Sequence, residues 1–320
     1  MDRRDILRLT GECTVAAMLG VFALGAMGAQ VNRLVLIHGR GQEGLNPEVL
    51  KGEWMASLKR GADRLGRPVP QGIDVAFPYY GDVLGKFASE LEIPLVSDIQ
   101  SRGATPDDEF LLFQYEIADA IRQRAGITDE QVEAEYGHNP NQRGPLNWQW
   151  VQAILRAIDK NSSGMSQKTL EEFTRDVFLY VTRAGVRDEI DNIVSRALTE
   201  QPTVVVSHSL GTVVAYSVLR TERRPLHVPL FVTLGSPLAV RAVRDPFRPI
   251  GFPTPVGAWY NAFDTRDVVA LYPLDAENFP VSPAIENNSS VRNHTDNRHG
   301  IAGYLDDTAV ARRVLDALNG

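Results

Sequence analysis

Thr203-Val204-Val205-Val206-Ser207-His208-Ser209-Leu210-Gly211-Thr212 is the stretch that decides the fold. An apolar, β-branched run stops at Ser-His-Ser-Leu-Gly, and a helical pattern over 212–219 begins at once. Such a run reads as a strand buried on both faces. A sharp strand-to-helix turn lifts a serine hydroxyl clear of the sheet, and small residues two positions to either side let the turn close. Ser207 stands where the pattern G-x-S-x-G has its first glycine; serine packs there but lacks the ease of glycine at positive φ. The helix N-terminus behind Ser209 offers backbone N–H groups and a positive dipole end to developing negative charge.

Outward from this joint, Leu34-Val35-Leu36-Ile37, ending in His38-Gly39, predicts an earlier buried strand. Residues 73–77, 229–234 and 258–263 predict three more. Asn46-Pro47 reads as an N-cap followed by proline at the first helical position, with Leu50, Trp54 and Leu58 at helical spacing and Gly66 closing the segment. The final helix is expected near Asp306-Asp307, with Val310, Val314 and Ala317 on one face. Strands alternating with helices predict an α/β domain over 30–320, a mostly parallel sheet flanked by helices.

The alternation is interrupted between about residues 81 and 200. Phe110, Phe113, Ile117 and Ile121 share one helical face, as do Trp148, Val151, Leu155 and Ile158. Leu170, Phe173, Val177 and Tyr180 form a third face, and Val186, Ile190, Ile193 and Ala197 a fourth. The last of these helices is expected to pack on the sheet. The others are expected to form a helical cap, about 83–185, inserted before the Ser209 strand and joined by polar loops such as His138-Asn139-Pro140-Asn141.

Of the 320 residues, 43% are hydrophobic and 23% charged, which excludes a disordered chain. Thirty-three basic against 40 acidic residues leave a net charge of −7, with no basic stripe for nucleic acid. Cys13 is the only cysteine, which excludes an intrachain disulfide, a cysteine zinc cluster and a cysteine nucleophile in the body of the chain. Arg3 and Arg4 precede a 20-residue uncharged stretch, 13–32, and Ala26-Met27-Gly28 offers small residues for cleavage. Residues 1–29 therefore read as an export segment resembling the twin-arginine type, or as a membrane anchor; a start at Met27 would leave the protein in the cytoplasm.

A serine nucleophile needs a base and a group to orient it. His299 falls just before the final helix, within reach of the carboxyl end of the sheet, with His294 as the alternative. His208 is expected to point away from the Ser209 hydroxyl, and His38 to serve a structural or oxyanion-loop role. Asp267, ahead of Val-Val-Ala, and Asp264 both follow a predicted strand, and Asp267 is favoured. In His38-Gly39-Arg40-Gly41-Gln42-Glu43-Gly44, the Arg40 N–H joins the Leu210 N–H as the candidate oxyanion hole. The same glycines spell G-x-G-x-x-G. The dinucleotide fingerprint, however, needs an acid at the end of the second strand, where Phe77-Pro78-Tyr79-Tyr80 stands and Asp82 comes later. His294, Asp296 and His299 do not form a zinc signature, so neither metal nor cofactor is expected.

Taken together, Leu-Ile-His-Gly, Ser-His-Ser-Leu-Gly, Thr-Leu-Gly-Ser-Pro-Leu (233–238), Asp-Val-Val-Ala and His-Gly-Ile-Ala-Gly-Tyr-Leu (299–305) resemble the α/β-hydrolases, most nearly their lipase-like branch. The matching motifs span about 31–318, and the order Ser209, Asp267, His299 is the one that superfamily uses. The resemblance implies a serine triad, an acyl-enzyme, no cofactor, and a small-molecule or lipid acyl ester as substrate. Thioesterases, amidases and inactive binding modules share the fold, so the fold alone does not choose among them. Membrane association through the N-terminal segment would suit a lipid substrate.

Overall fold

The computed structural model describes residues 31–91, 93, 95, 107–137, 143–161 and 164–319. The expected export or anchor segment, Cys13 and the loop at His138 lie outside them. Six strands, β1 (Arg33–Ile37), β2 (Asp74–Ala76), β3 (Thr203–His208), β4 (Val228–Leu234), β5 (Val256–Ala262) and β6 (Glu286–Asn288), form one sheet in the order β2-β1-β3-β4-β5-β6. Every neighbouring pair is parallel, so the chain is an α/β protein with a wholly parallel sheet. Sequence reading missed β6, an edge strand of Glu286-Asn287-Asn288 with no apolar run. It is held by polar contacts: the Asn261 side chain donates to Asn287 Oδ1 at 2.9 Å.

Both faces of the central strands are apolar because both are covered. Leu34, Leu36, Val204, Val206, Val232 and Tyr260 share one core with α1 (Pro47–Arg64) and the last two helices, α10 (Ile301–Leu305) and α11 (Thr308–Asn319). Each large side chain buried there stabilises the fold by roughly 1.5–3 kcal/mol. Asn46 caps α1 by accepting the N–H groups of Glu48 and Val49, with Pro47 in the first turn, as its sequence predicts.

On the opposite face Val35, Ile37, Val205, Phe231 and Trp259 meet α2 (Gly81–Glu90), α7 (Ala184–Ala197), α8 (Leu210–Thr221) and the short α9 (Arg241–Arg244). Here α7 packs on α8, on Gln167–Thr182 and on α2 more than on any strand of the sheet, contrary to the expectation from its sequence. The interrupting segment supplies α3 (Asp108–Arg124), α4 (Asp129–Tyr136), α5 (Trp148–Asn161) and α6 (Gln167–Thr182). These pack on one another, and α6 also docks on α2 and α7. Phe110, Ile154 and Phe178 continue the same apolar core, so the insert is a layer welded to the domain.

The connections leave β1 toward β2 on one side and β3 on the other. The carboxyl ends of β1 and β3 therefore flank the crevice at which open α/β sheets bind ligands. Among the described residues no helix is long and apolar enough to cross a membrane.

Candidate active site

Ser209 ends β3 at φ 54°, ψ −130°, one of two non-glycine residues at positive φ among those described. Such a conformation is costly for serine, and strain of this kind accumulates at functional sites. The turn is locked from behind: the Thr212 hydroxyl donates to the Ser209 carbonyl at 2.7 Å, reinforced by the Thr212 N–H at 2.9 Å. A Cβ on Gly211 would collide with the carbonyl oxygens of Ile37 and His38, which explains the small residue after the serine. Ser207 is absorbed into the sheet, its hydroxyl donating to the Val232 carbonyl at 2.9 Å.

The Ser209 hydroxyl lies 2.8 Å from His299 Nε2, and His299 Nδ1 lies 2.7 Å from Asp267 Oδ2. A carboxylate only accepts, so the proton of a neutral His299 ring sits on Nδ1, leaving Nε2 free to take one from Ser209. Asp267 is 2% exposed and accepts two further bonds, from the Val269 N–H (2.8 Å) and the Tyr304 hydroxyl (2.6 Å). Burial, followed by the Asp267 charge, holds the Tyr304 phenol well above its ordinary pKa, so it stays a donor. Gly235, at φ 57°, closes against this pair, and a Cβ there would lie 3.1 Å from both Asp267 Oδ2 and His299 Nδ1.

The alternatives are placed elsewhere. Asp264 accepts the N–H groups of Arg266 and Asn293 at 2.9 Å and pairs with the Arg266 guanidinium, knitting two loops together. His294 is exposed and contacts Asp306 Oδ2 at 2.9 Å. No cluster of three metal-ligating side chains occurs among the described residues.

His208 and His38 are buried supports. His208 Nε2 donates to the His299 carbonyl at 2.7 Å, a bond to the backbone and not to the Ser209 hydroxyl. Burial, then the neighbouring His299, pushes its pKa well below the ordinary value. His38 Nε2 accepts the Tyr80 N–H at 3.1 Å, so Nδ1 carries the proton it donates to the Gly39 carbonyl. Burial lowers His38 to about 4, the bond to Gly39 opposing it. The Tyr80 hydroxyl also donates to the His38 carbonyl, fixing the base of the β1–α1 loop.

That loop runs beside Ser209: a Cβ on Gly39 would sit 2.9 Å from Ser209 Cβ and 3.4 Å from its hydroxyl oxygen. The next backbone N–H, that of Arg40, has no acceptor among the described residues. The Leu210 N–H opens α8 and belongs to the unmatched first-turn donors of that helix. The Arg40 side chain turns to the insert instead. Its Nε donates to Asp176 Oδ2 at 2.6 Å and an η nitrogen to Glu172 Oε2 at 3.0 Å. Over Ser209 opens a pocket of about 370 Å³, of a size suited to small molecules. Its apolar wall includes Leu45, Leu50 and Trp54 from the β1–α1 side and Met165 and Phe173 from the insert.

Tyr304, Asn297, Gly235, Asp176 and Glu172 escaped sequence reading. Tyr304 lies within the quoted 299–305 motif but carries no role from spacing alone. Asn297 accepts the His299 N–H at 3.1 Å, an Asx turn that only its position before the histidine hints at. No local signal links Arg40 to two carboxylates more than 130 residues away. Comparison with protein-family models, with curated proteins and with solved structures returned no match.

Proposed function

We propose that this protein is a serine hydrolase of the α/β-hydrolase type that cleaves carboxylic esters. The observation that carries the reading is the unbroken series Ser209 Oγ to His299 Nε2 (2.8 Å) and His299 Nδ1 to Asp267 Oδ2 (2.7 Å) at the floor of the pocket. The positive φ of Ser209, the helix N-terminus behind it and the switch-point crevice support the same reading. The helices α3–α6 then form a cap inserted before the nucleophile strand, with Met165 and Phe173 as its contribution to the pocket.

In the reaction, Ser209 Oγ attacks the carbonyl carbon while its proton passes to His299 Nε2. Asp267 holds the ring orientation and stabilises the imidazolium. The N–H groups of Arg40 and Leu210 receive the oxyanion of the tetrahedral intermediate. Collapse breaks the ester C–O bond, and the alcohol leaves with the proton from His299. Water, deprotonated by His299, then attacks the acyl-enzyme and regenerates Ser209. No cofactor enters the scheme. The apolar pocket wall and half-exposed Leu45 favour an acyl ester with a hydrocarbon chain, small or lipid-derived. A fluorophosphonate probe should label Ser209, and turnover of p-nitrophenyl esters should vanish in both Ser209→Ala and His299→Ala. Labelling or turnover that survives Ser209→Ala overturns the reading.

A further inference from the structure

The β1–α1 loop is held by three clamps. His38 and Tyr80 fix its base. At its far end the Tyr79 hydroxyl donates to the Gln42 carbonyl at 2.6 Å, and the Gly44 N–H donates to Asp82 at 2.7 Å. Between them, at the residue whose N–H has been assigned to the oxyanion, the Gln42 amide donates to the Arg40 carbonyl at 3.1 Å and the Arg40 side chain pairs with α6. Asp176 is almost wholly buried and has both oxygens engaged, Oδ2 by Arg40 and Oδ1 by the Arg175 guanidinium at 2.9 Å. The carboxylates of Asp176 and Glu172 outweigh the effect of burial and hold the Arg40 guanidinium above its ordinary pKa. A buried arginine has little freedom once two carboxylates fix its planar head. With Gly41 next in the chain at φ 69°, the ion pair adds a long-range restraint to the local bonds from Gln42.

We propose that Asp176 is a positioning residue for acyl transfer: from the helical insert it anchors the Arg40 side chain and thereby aims the Arg40 backbone N–H at the oxyanion. Glu172, more exposed, plays the lesser part in the same clamp. The inference rests on the serine-hydrolase reading above. It makes the docked insert a condition of catalysis.

The test compares wild type with Asp176→Ala, Asp176→Asn, Arg40→Lys and Glu172→Gln. Glu109→Gln, which breaks an insert ion pair with Arg183 elsewhere, is the control. Deleting one oxyanion donor outright costs about 10²–10³ in kcat, so misaiming it in Asp176→Ala should cost about 10–100-fold, with KM changed less than threefold. Asp176→Asn, Arg40→Lys and, most mildly, Glu172→Gln should fall between it and wild type, and Glu109→Gln should stay within threefold. A trifluoromethyl ketone, whose adduct with Ser209 bears the oxyanion, should lose affinity in proportion to kcat. If the wild type itself fails to react with a fluorophosphonate at Ser209, the hydrolase reading falls and this inference with it. If the wild type reacts but kcat and ketone affinity are unchanged in Arg40→Lys and Asp176→Asn, the inference alone falls, even where Asp176→Ala does not fold.

Discussion

The two sides of the pocket are held by different means. On the side of Ser209, Asp267 and His299, each group stands just past a strand or in a tight turn and is held by hydrogen bonds, some from neighbours within a few residues and some, from Tyr304 and His208, from farther along the chain. Thr212 fixes Ser209, Val269 fixes Asp267 and Asn297 fixes His299. On the insert side, Arg40 depends on carboxylates 132 and 136 residues away, and the apolar wall on Met165 and Phe173. Hydrogen bonds hold Ser209, Asp267 and His299, whereas ion pairs tie the Arg40 loop to the insert.

The sharpest break in this comparison sets the two aspartates side by side. Asp267→Asn should lower kcat by about 10³–10⁴, because the amide no longer selects the required histidine tautomer. Asp264→Asn should leave kcat within a few-fold yet cost about 1–3 kcal/mol in urea unfolding, since two backbone N–H groups lose a charged acceptor. Next in size, His208→Ala should reduce kcat about 10-fold by freeing the His299 carbonyl, with His208→Gln, which keeps a donor, restoring part of it. Tyr304→Phe removes one of three donors to Asp267 and should cost about 3–10-fold in kcat.

The smallest effects separate the two sides by the sign of their pH dependence. His38 and His208 are buried neutral, so the unfolded chain binds the extra protons as pH falls below about 6.5, and stability falls with it. For His38 the loss runs down to about pH 4 at up to roughly 1.4 kcal/mol per pH unit, and His38→Gln should flatten the slope of Tm against pH. Asp191 behaves oppositely. It ties α6 and α8 to α7 by accepting the hydroxyls of Tyr180 and Ser217 at 2.6 and 2.8 Å, and burial raises its pKa to about 6. Here the folded state binds the extra proton, so stability is lost as pH rises from about 4 to 6. Asp191→Asn should therefore stabilise the protein by about 1 kcal/mol at pH 8 and by less at pH 4.

What the sequence discloses follows the same division. The runs Leu34-Val35-Leu36-Ile37 and Val204-Val205-Val206 announce buried parallel strands because both faces of the sheet are covered. Ser209, Asp267 and His299 are findable because strand ends place them at one rim, whatever lies between. Edge strand β6 is illegible, since an edge needs no apolar period, and α4 is too short to display one. The helices α3, α5 and α6 are plain from their spacing, but periodicity records only that a face is buried, not against which partner. The Arg40–Asp176 pair is invisible for that reason: a single charge has no period, and its partner is chosen by tertiary packing.

One consequence follows from the direction of β1. The described chain enters the sheet at Arg33, whereas Ser209 follows the opposite ends of the parallel strands, a strand length of roughly 17 Å away. A support attached directly at Val31 would hold the end of the sheet opposite the rim that bears Ser209. Under the proposed function, an ester would reach Ser209 from the side facing away from such a support.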